Sequence, residues 1–456
     1  MSDFKRNPQE NSEEQEDLWQ EAPRRRFTLR SLVNLLAALM LVAVVAIIVA
    51  DASKPPKRPN ADGEELATRY TTTQPTTEEP TTEPTTEPTT EEPTTEPEPT
   101  EPPLEPHEEQ AIELLDRLTL EEKLWQMLFI SQDELTDVYG PTMAGEGTRE
   151  ALGYYPVGGV IYFSQNMISG DQVATLVGNT QSYSKIPLFI GVDEEGGTVS
   201  RLSPIGVTNY VSPMAEYGEA GDKEAVYELG QTFARQLLSV GFNLNFAPVA
   251  DIVTNPNNQE IGNRSFSDDP VVAGEMVAEM VKGLQEGGVI SCLKHFPGHG
   301  STEDDSHYGM SVSNRTLEDL RAEEFLPFMQ GIEAGVELVM MSHMSLPEVT
   351  GDNTPCDLSY SVVTELLREE LGFEGLIFSD SHEMAAITSY YSCGEAAAMA
   401  VLAGCDVVLM PTDKQAAFDG LLKAVANGSL TEERINESVL RILSLKCKYG
   451  IIPADF

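Results

Sequence analysis

The sequence predicts a (β/α)8 barrel over residues 107–456, and three observations point to it. Short apolar runs alternate with amphipathic stretches of helical spacing, giving eight strand candidates in about 350 residues, which is the arithmetic of that fold. Five consecutive candidates end in charged or hydrogen-bonding residues, and the carboxyl ends of barrel strands converge on one mouth. The densest polar group is Lys294-His295-Phe296-Pro297-Gly298-His299-Gly300, followed shortly by Asp305-Ser306-His307. It holds three of the chain's six histidines and follows directly on an apolar run. The same alternation also fits an open, doubly wound sheet.

The strand candidates are residues 125–130, 159–163, 188–192, 243–247, 289–293, 338–341, 375–379 and 407–410. Amphipathic helices are expected at 225–240, 272–286, 317–334, 361–371 and 415–426. Ahead of the first strand, Ile112, Leu115, Leu118, Leu120 and Leu124 recur at helical spacing. The third strand ends in Asp193-Glu194-Glu195-Gly196-Gly197. The fourth runs into Pro248-Val249-Ala250-Asp251, and its following loop carries Asn263-Arg264-Ser265-Phe266. The fifth runs into Lys294-His295, the sixth ends in Ser342-His343 and the seventh in Ser379-Asp380. Any one of these acids would serve as a helix N-cap. Together they describe a pocket rich in donors and acceptors, suited to a polyhydroxylated ligand; a pocket for an apolar ligand has few such groups.

The first quarter of the chain reads differently. Residues 1–30 form a polar tail ending in Arg24, Arg25, Arg26 and Arg30, expected in the cytoplasm. Residues 31–50 read as a transmembrane anchor. From Leu32 to Ala50 almost every side chain is apolar, and nineteen residues at about 1.5 Å each nearly span a bilayer's hydrocarbon core. The arginines before it and Asp51 after it place the rest of the chain outside the cell membrane. A cleaved signal peptide is the other reading, because Ala50-Asp51-Ala52 resembles a cleavage site; the chain would then be secreted. Residues 51–106 read as a disordered linker. From Thr71 it repeats Thr-Thr-Glu-Pro with small variations, carrying ten Glu and no Lys or Arg. Extended, that repeat would reach on the order of 100 Å.

Composition narrows the partners. A net charge of −45 argues against nucleic acid, since phosphate binding needs a basic surface. Five scattered cysteines with no CxxC spacing form no disulfide framework, and Cys292 and Cys405 fall in apolar runs where buried thiols are expected. The histidine cluster admits a metal reading, with His295, His299, His307 and Asp305 as ligands. Pro297-Gly298 counts against it, because no helix can then set His295 and His299 on one face.

The motif residues also carry a family resemblance. Residues 294–307 match Lys-His-(Phe/Ile)-Pro-Gly-(His/Leu)-Gly, four residues, then Asp-(Ser/Thr)-His. With that motif, residues 107–456 resemble the β-N-acetylglucosaminidase branch of glycoside hydrolase family 3. The segments 157–161, 187–202, 245–251, 264–266 and 366–387 resemble the family as well. There are departures. Glu194 follows Asp193 where Gln is usual, Thr198 stands where Arg is common, and Ser381-His382-Glu383-Met384 follow Asp380 where the family often has Asp-Leu-x-Met.

The resemblance implies a retaining β-N-acetylhexosaminidase acting on cell-wall or other amino-sugar glycans, with a monomeric catalytic domain and no metal or organic cofactor. It implies Asp380 as nucleophile, and His307 as acid/base with Asp305 as its partner. Asp193, Arg201, Arg264, Lys294, His295 and His343 would hold the sugar. An imidazole near pKa 6.5 can give a proton and take it back at neutral pH, and a neighbouring carboxylate steadies its cationic form. Gly298, Gly300 and Gly309 would let the His307 loop move over substrate. Phosphorolysis by the same site, a metal-dependent peptidoglycan amidase or deacetylase, and an inactive cell-wall-binding module are the other functional readings.

Overall fold

The computed structural model describes residues 104–302 and 309–456. Eight strands form a closed, all-parallel barrel: β1 Leu128–Ser131, β2 Gly159–Ile161, β3 Phe189–Val192, β4 Leu244–Asn245, β5 Ile290–Phe296, β6 Leu338–Met341, β7 Leu376–Ser381 and β8 Val407–Leu409. Neighbours in sequence are neighbours in space, and β1 closes the ring by pairing Phe129 with Gly159 of β2 and with Leu409 of β8. The closed ring excludes the open sheet. All eight expected strands are present.

The barrel interior is packed, not hollow. Phe129, Phe246 and Phe378 meet edge to face with centroids 5.6–5.9 Å apart, a geometry that aligns ring edges with ring faces. Gly159 makes room for them: a Cβ there would lie 2.4 Å from the Phe129 ring. The strands are almost wholly buried, because helices cover their outer faces.

Boundaries shifted where tertiary contacts extended an element. Trp125, expected in the first strand, belongs to the helix Leu120–Gln126. Thr119 and Glu122 cap that helix reciprocally, and the Trp125 ring stacks on Phe418 at 4.6 Å. The fifth strand continues past Leu293 to Phe296, because its carbonyls at Lys294 and Phe296 accept from Ala250 and Ser342 N–H groups at 2.7 and 2.8 Å. The helix expected over 317–334 breaks into Leu317–Ala322 and Phe325–Glu333; at the break Glu324 turns inward to Arg315, 2.8 Å away.

All five cysteines are free, and Cys292, Cys356, Cys405 and Cys447 are buried. Among the described residues no helix is long and apolar enough to cross a membrane. The expected anchor at 31–50 and the linker at 51–106 lie outside the described residues, apart from the linker's last three positions.

Candidate active site

A cavity of about 700 Å³ opens at the carboxyl ends of the strands. Its wall includes Asp193 and Glu195 after β3, Arg264 from the β4 loop, Lys294 and His295 at the end of β5, and Asp380 and Ser381 at the end of β7. Strands seven residues long or shorter cannot bring such residues together alone; the closed ring does it by converging eight strand ends.

Two fixed cations and two carboxylates interlock on one side. Lys294 Nζ lies 2.9 Å from Asp193 Oδ1 and 2.6 Å from Glu195 Oε1. Arg264 grips Glu195 with Nε and Nη2 at 2.8 and 2.9 Å, and Arg201 stands 3.8 Å from Asp193. Burial opposes every one of these charges, yet the pairing wins. Glu195 is held well below the usual carboxylate range by Lys294 and Arg264, and Lys294 is raised by Asp193 and Glu195. With Arg201 the cluster sets three cations against two carboxylates and presents interlocked donors and acceptors to the cavity.

His295 is oriented from behind. Its Nδ1 lies 2.7 Å from Asp251 Oδ2, which leaves Nε2 as the ring's remaining polar atom. Asp251 also accepts the backbone N–H groups of His295 and His299, at 3.1 and 2.7 Å. Burial pushes the Asp251 carboxyl up, but His295 and these N–H groups bring it below its ordinary value. One carboxylate therefore fixes the start of the histidine-rich loop. Gly300 in that loop allows close packing: a Cβ there would lie 1.9 Å from the Ile252 carbonyl oxygen.

Asp380 sits on the cavity wall with Oδ1 accepting the Ser381 N–H at 2.7 Å, which fixes the carboxylate's direction. Asp193, Arg201, Arg264, Lys294, His295 and Asp380 thus share one cavity, as their placement at strand ends predicts. His343 does not. It is fully buried behind the wall, and its Nε2 donates to the Ser381 carbonyl at 2.7 Å, so direct sugar contact is corrected to a contact through the backbone beside Asp380. Asp305 and His307 lie outside the described residues.

The departure at Glu194 has a local cause. Its buried carboxylate faces away from the cavity and accepts the N–H groups of Arg201 and Leu202 at 2.8 and 2.9 Å, the Thr208 hydroxyl at 2.6 Å and the Ser200 hydroxyl. Four donors suit an acceptor-only carboxylate. Three functional acids escaped sequence reasoning. Glu195 could have been found, since extended backbone puts residues 193 and 195 on one face. Asp251 stands at a strand end among the expected pocket residues, but without an assigned role. Asp357, buried between His343 and His382, carries no local signal at all.

A closed parallel barrel with a polar mouth of paired charges and an oriented carboxylate, Asp380, fits a barrel enzyme for polyhydroxylated ligands. The profile of the glycosyl hydrolase family 3 N terminal domain matches residues 119–445, and the chain belongs to that family of glycoside hydrolases. Beta-hexosaminidase A of Pseudoalteromonas piscicida is 33% identical over 327 residues, covering 66% of this chain and 54% of its own length. The Beta-hexosaminidase of Stenotrophomonas maltophilia (strain K279a) is 36% identical over 58% of this chain and 78% of its own. A solved glycoside hydrolase family 3 beta-N-acetylglucosaminidase from Paenibacillus sp. str. FPU-7 shares 38% identity at a TM-score of 0.69, over 73% of this chain and 63% of that one. The chain spans about half the length of the first of these relatives.

Proposed function

We propose that this chain is a retaining β-N-acetylhexosaminidase that removes terminal β-linked N-acetylglucosamine from amino-sugar glycans, peptidoglycan fragments among them. The carrying observation is Asp380: an oriented carboxylate on the wall of the cavity that Asp193, Glu195, Arg264 and Lys294 also line. The names of the relatives and of the solved neighbour support the sugar. Asp193, Lys294, Arg264 and His295 hold hydroxyls and the acetamido group. Asp380 attacks the anomeric carbon and forms a glycosyl ester as the leaving oxygen takes a proton from His307; His307 then deprotonates the water that releases the sugar. The N-terminal apolar stretch anchors the domain outside the cell membrane, and protease added to intact cells then releases an active domain by cutting between Asp51 and Pro106.

The test is chemical. A slow 2-fluoro substrate should label Asp380 and no other residue, and Asp380→Asn should remove turnover while leaving the thermal transition in place. Labelling elsewhere overturns the assignment. His307→Ala should lose on the order of 10²–10⁴ in single-turnover rate on a disaccharide and far less on a nitrophenyl glycoside, whose leaving group needs no proton. Equal losses on both would remove His307 as the acid. Running each assay with and without inorganic phosphate separates hydrolysis from phosphorolysis by the product formed.

A further inference from the structure

His343 has an acceptor at each ring nitrogen. Nε2 lies 2.7 Å from the Ser381 carbonyl oxygen, and Nδ1 makes an ion contact with Asp357 Oδ1 at 3.1 Å. A carbonyl has no proton to give, so Nε2 must donate. Nδ1 and Asp357 Oδ1 make no aligned hydrogen bond, but a bare Nδ1 would set a lone pair beside a carboxylate in a place where both side chains are buried. A second proton, on Nδ1, turns that repulsion into attraction. The second oxygen of Asp357 lies 3.0 Å from His382 Nε2. Ser381 links this group to the site, because its N–H donates to Asp380 and its carbonyl accepts from His343.

We propose that His343 is a positioning residue: an imidazolium, held by Asp357 and His382, that clamps the Ser381 peptide against Asp380 and sets a buried positive charge behind that carboxylate. The proposal rests on the reading of Asp380 as nucleophile. Burial alone would lower the His343 pKa, but Asp357, then Asp380, carry it up to about 9. The charged and titratable groups around the pair are Asp357, Asp380, His382, Cys356, Cys405 and Tyr391, and burial pushes the last three up, so they stay neutral. The departure at Ser381-His382 thus coincides with a carboxylate, Asp357, shared between two histidines. A cation behind Asp380 stabilises negative charge on that carboxylate, which makes it a better leaving group from the glycosyl ester.

The full chain tests this directly. His343→Gln retains a donor towards Ser381 without the charge, and Asp357→Asn removes the carboxylate that holds it. Both should move the acid limb of the kcat/KM profile on an aryl β-N-acetylglucosaminide upward by about one pH unit. His382→Gln keeps a donor to Asp357 and should move it much less. Rate losses uniform across pH, with the limb unmoved and Asp380 still labelled by the 2-fluoro substrate, would overturn the proposal while sparing the nucleophile. Failed labelling would instead strike the nucleophile. If a variant does not fold, ¹⁵N-histidine spectra of the unmutated chain decide: a doubly protonated His343 at pH 7 is expected, and a neutral ring overturns it.

Discussion

Two lysines are buried at opposite ends of the barrel, and their surroundings treat them oppositely. Lys294, at the mouth, meets Asp193 and Glu195 and is held protonated. Lys446, on the helix Glu432–Lys448, reaches the amino-terminal ends of β1 and β3. There its Nζ donates to Gln126 Oε1 at 2.8 Å and lies 5.0 Å from the centre of the Phe189 ring. Among the described residues no carboxylate pairs with it, and burial pushes its pKa down to about 7. Burial is the same for both; partners decide whether the charge survives. The mouth keeps ionised groups in low dielectric, and the base keeps an amine that gives up its proton readily.

The largest break in this comparison should come at the mouth. Lys294→Met leaves Asp193 with only the more distant Arg201 and Glu195 with Arg264 alone. It should cost about 3–5 kcal/mol in urea unfolding and reduce kcat/KM by on the order of 10²-fold or more. An unchanged unfolding midpoint would show that the ion group contributes no stability. The same substitution at the base should act in reverse. Lys446→Met removes a charge-burial cost of roughly 4 kcal/mol and leaves Gln126 Oε1 unpaired at about 1–2 kcal/mol, for a net gain of about 2 kcal/mol at pH 7 with kcat/KM unchanged. A loss of stability would mean that the Gln126 contact outweighs desolvation.

The smallest effect is a slope. Unfolded lysine keeps its proton to about pH 10.4, whereas folded Lys446 gives it up near 7. Between these values the unfolded chain binds more protons, so this residue makes stability rise with pH, by up to about 1.4 kcal/mol per pH unit. Lys294, raised in the fold, works the other way: its contribution is complete below about pH 10.4 and is lost as pH rises through its higher folded value. Unfolding free energies at pH 6.5, 8 and 9.5 should climb more steeply in the unmutated chain than in Lys446→Met. Parallel curves would show that Lys446 stays charged when folded.

The sequence by itself determined eight β/α units with buried parallel strands; the structure decided that they close into a ring. Eight apolar runs of strand length, each bounded by polar residues and followed by a helix, leave few ways to bury both faces of every strand. It also marked Asp193, Arg264, Lys294, His295 and Asp380, because a titratable residue at the end of a buried strand stands out against its neighbours. Tertiary structure alone decided how those groups are charged and which of them face the cavity. Asp193 and Lys294 are 101 residues apart in the chain and 2.9 Å apart in space. His343 read as a wall residue from its strand end, yet the Asp357 carboxylate and the Ser381 carbonyl hold it behind the wall. Lys446 lies in the last turn of its helix, and only the fold sets Gln126 and Phe189 against it. A residue's type fixes what it can donate or accept; its charge follows from the dielectric and the partners around it, and only the closed barrel supplies those.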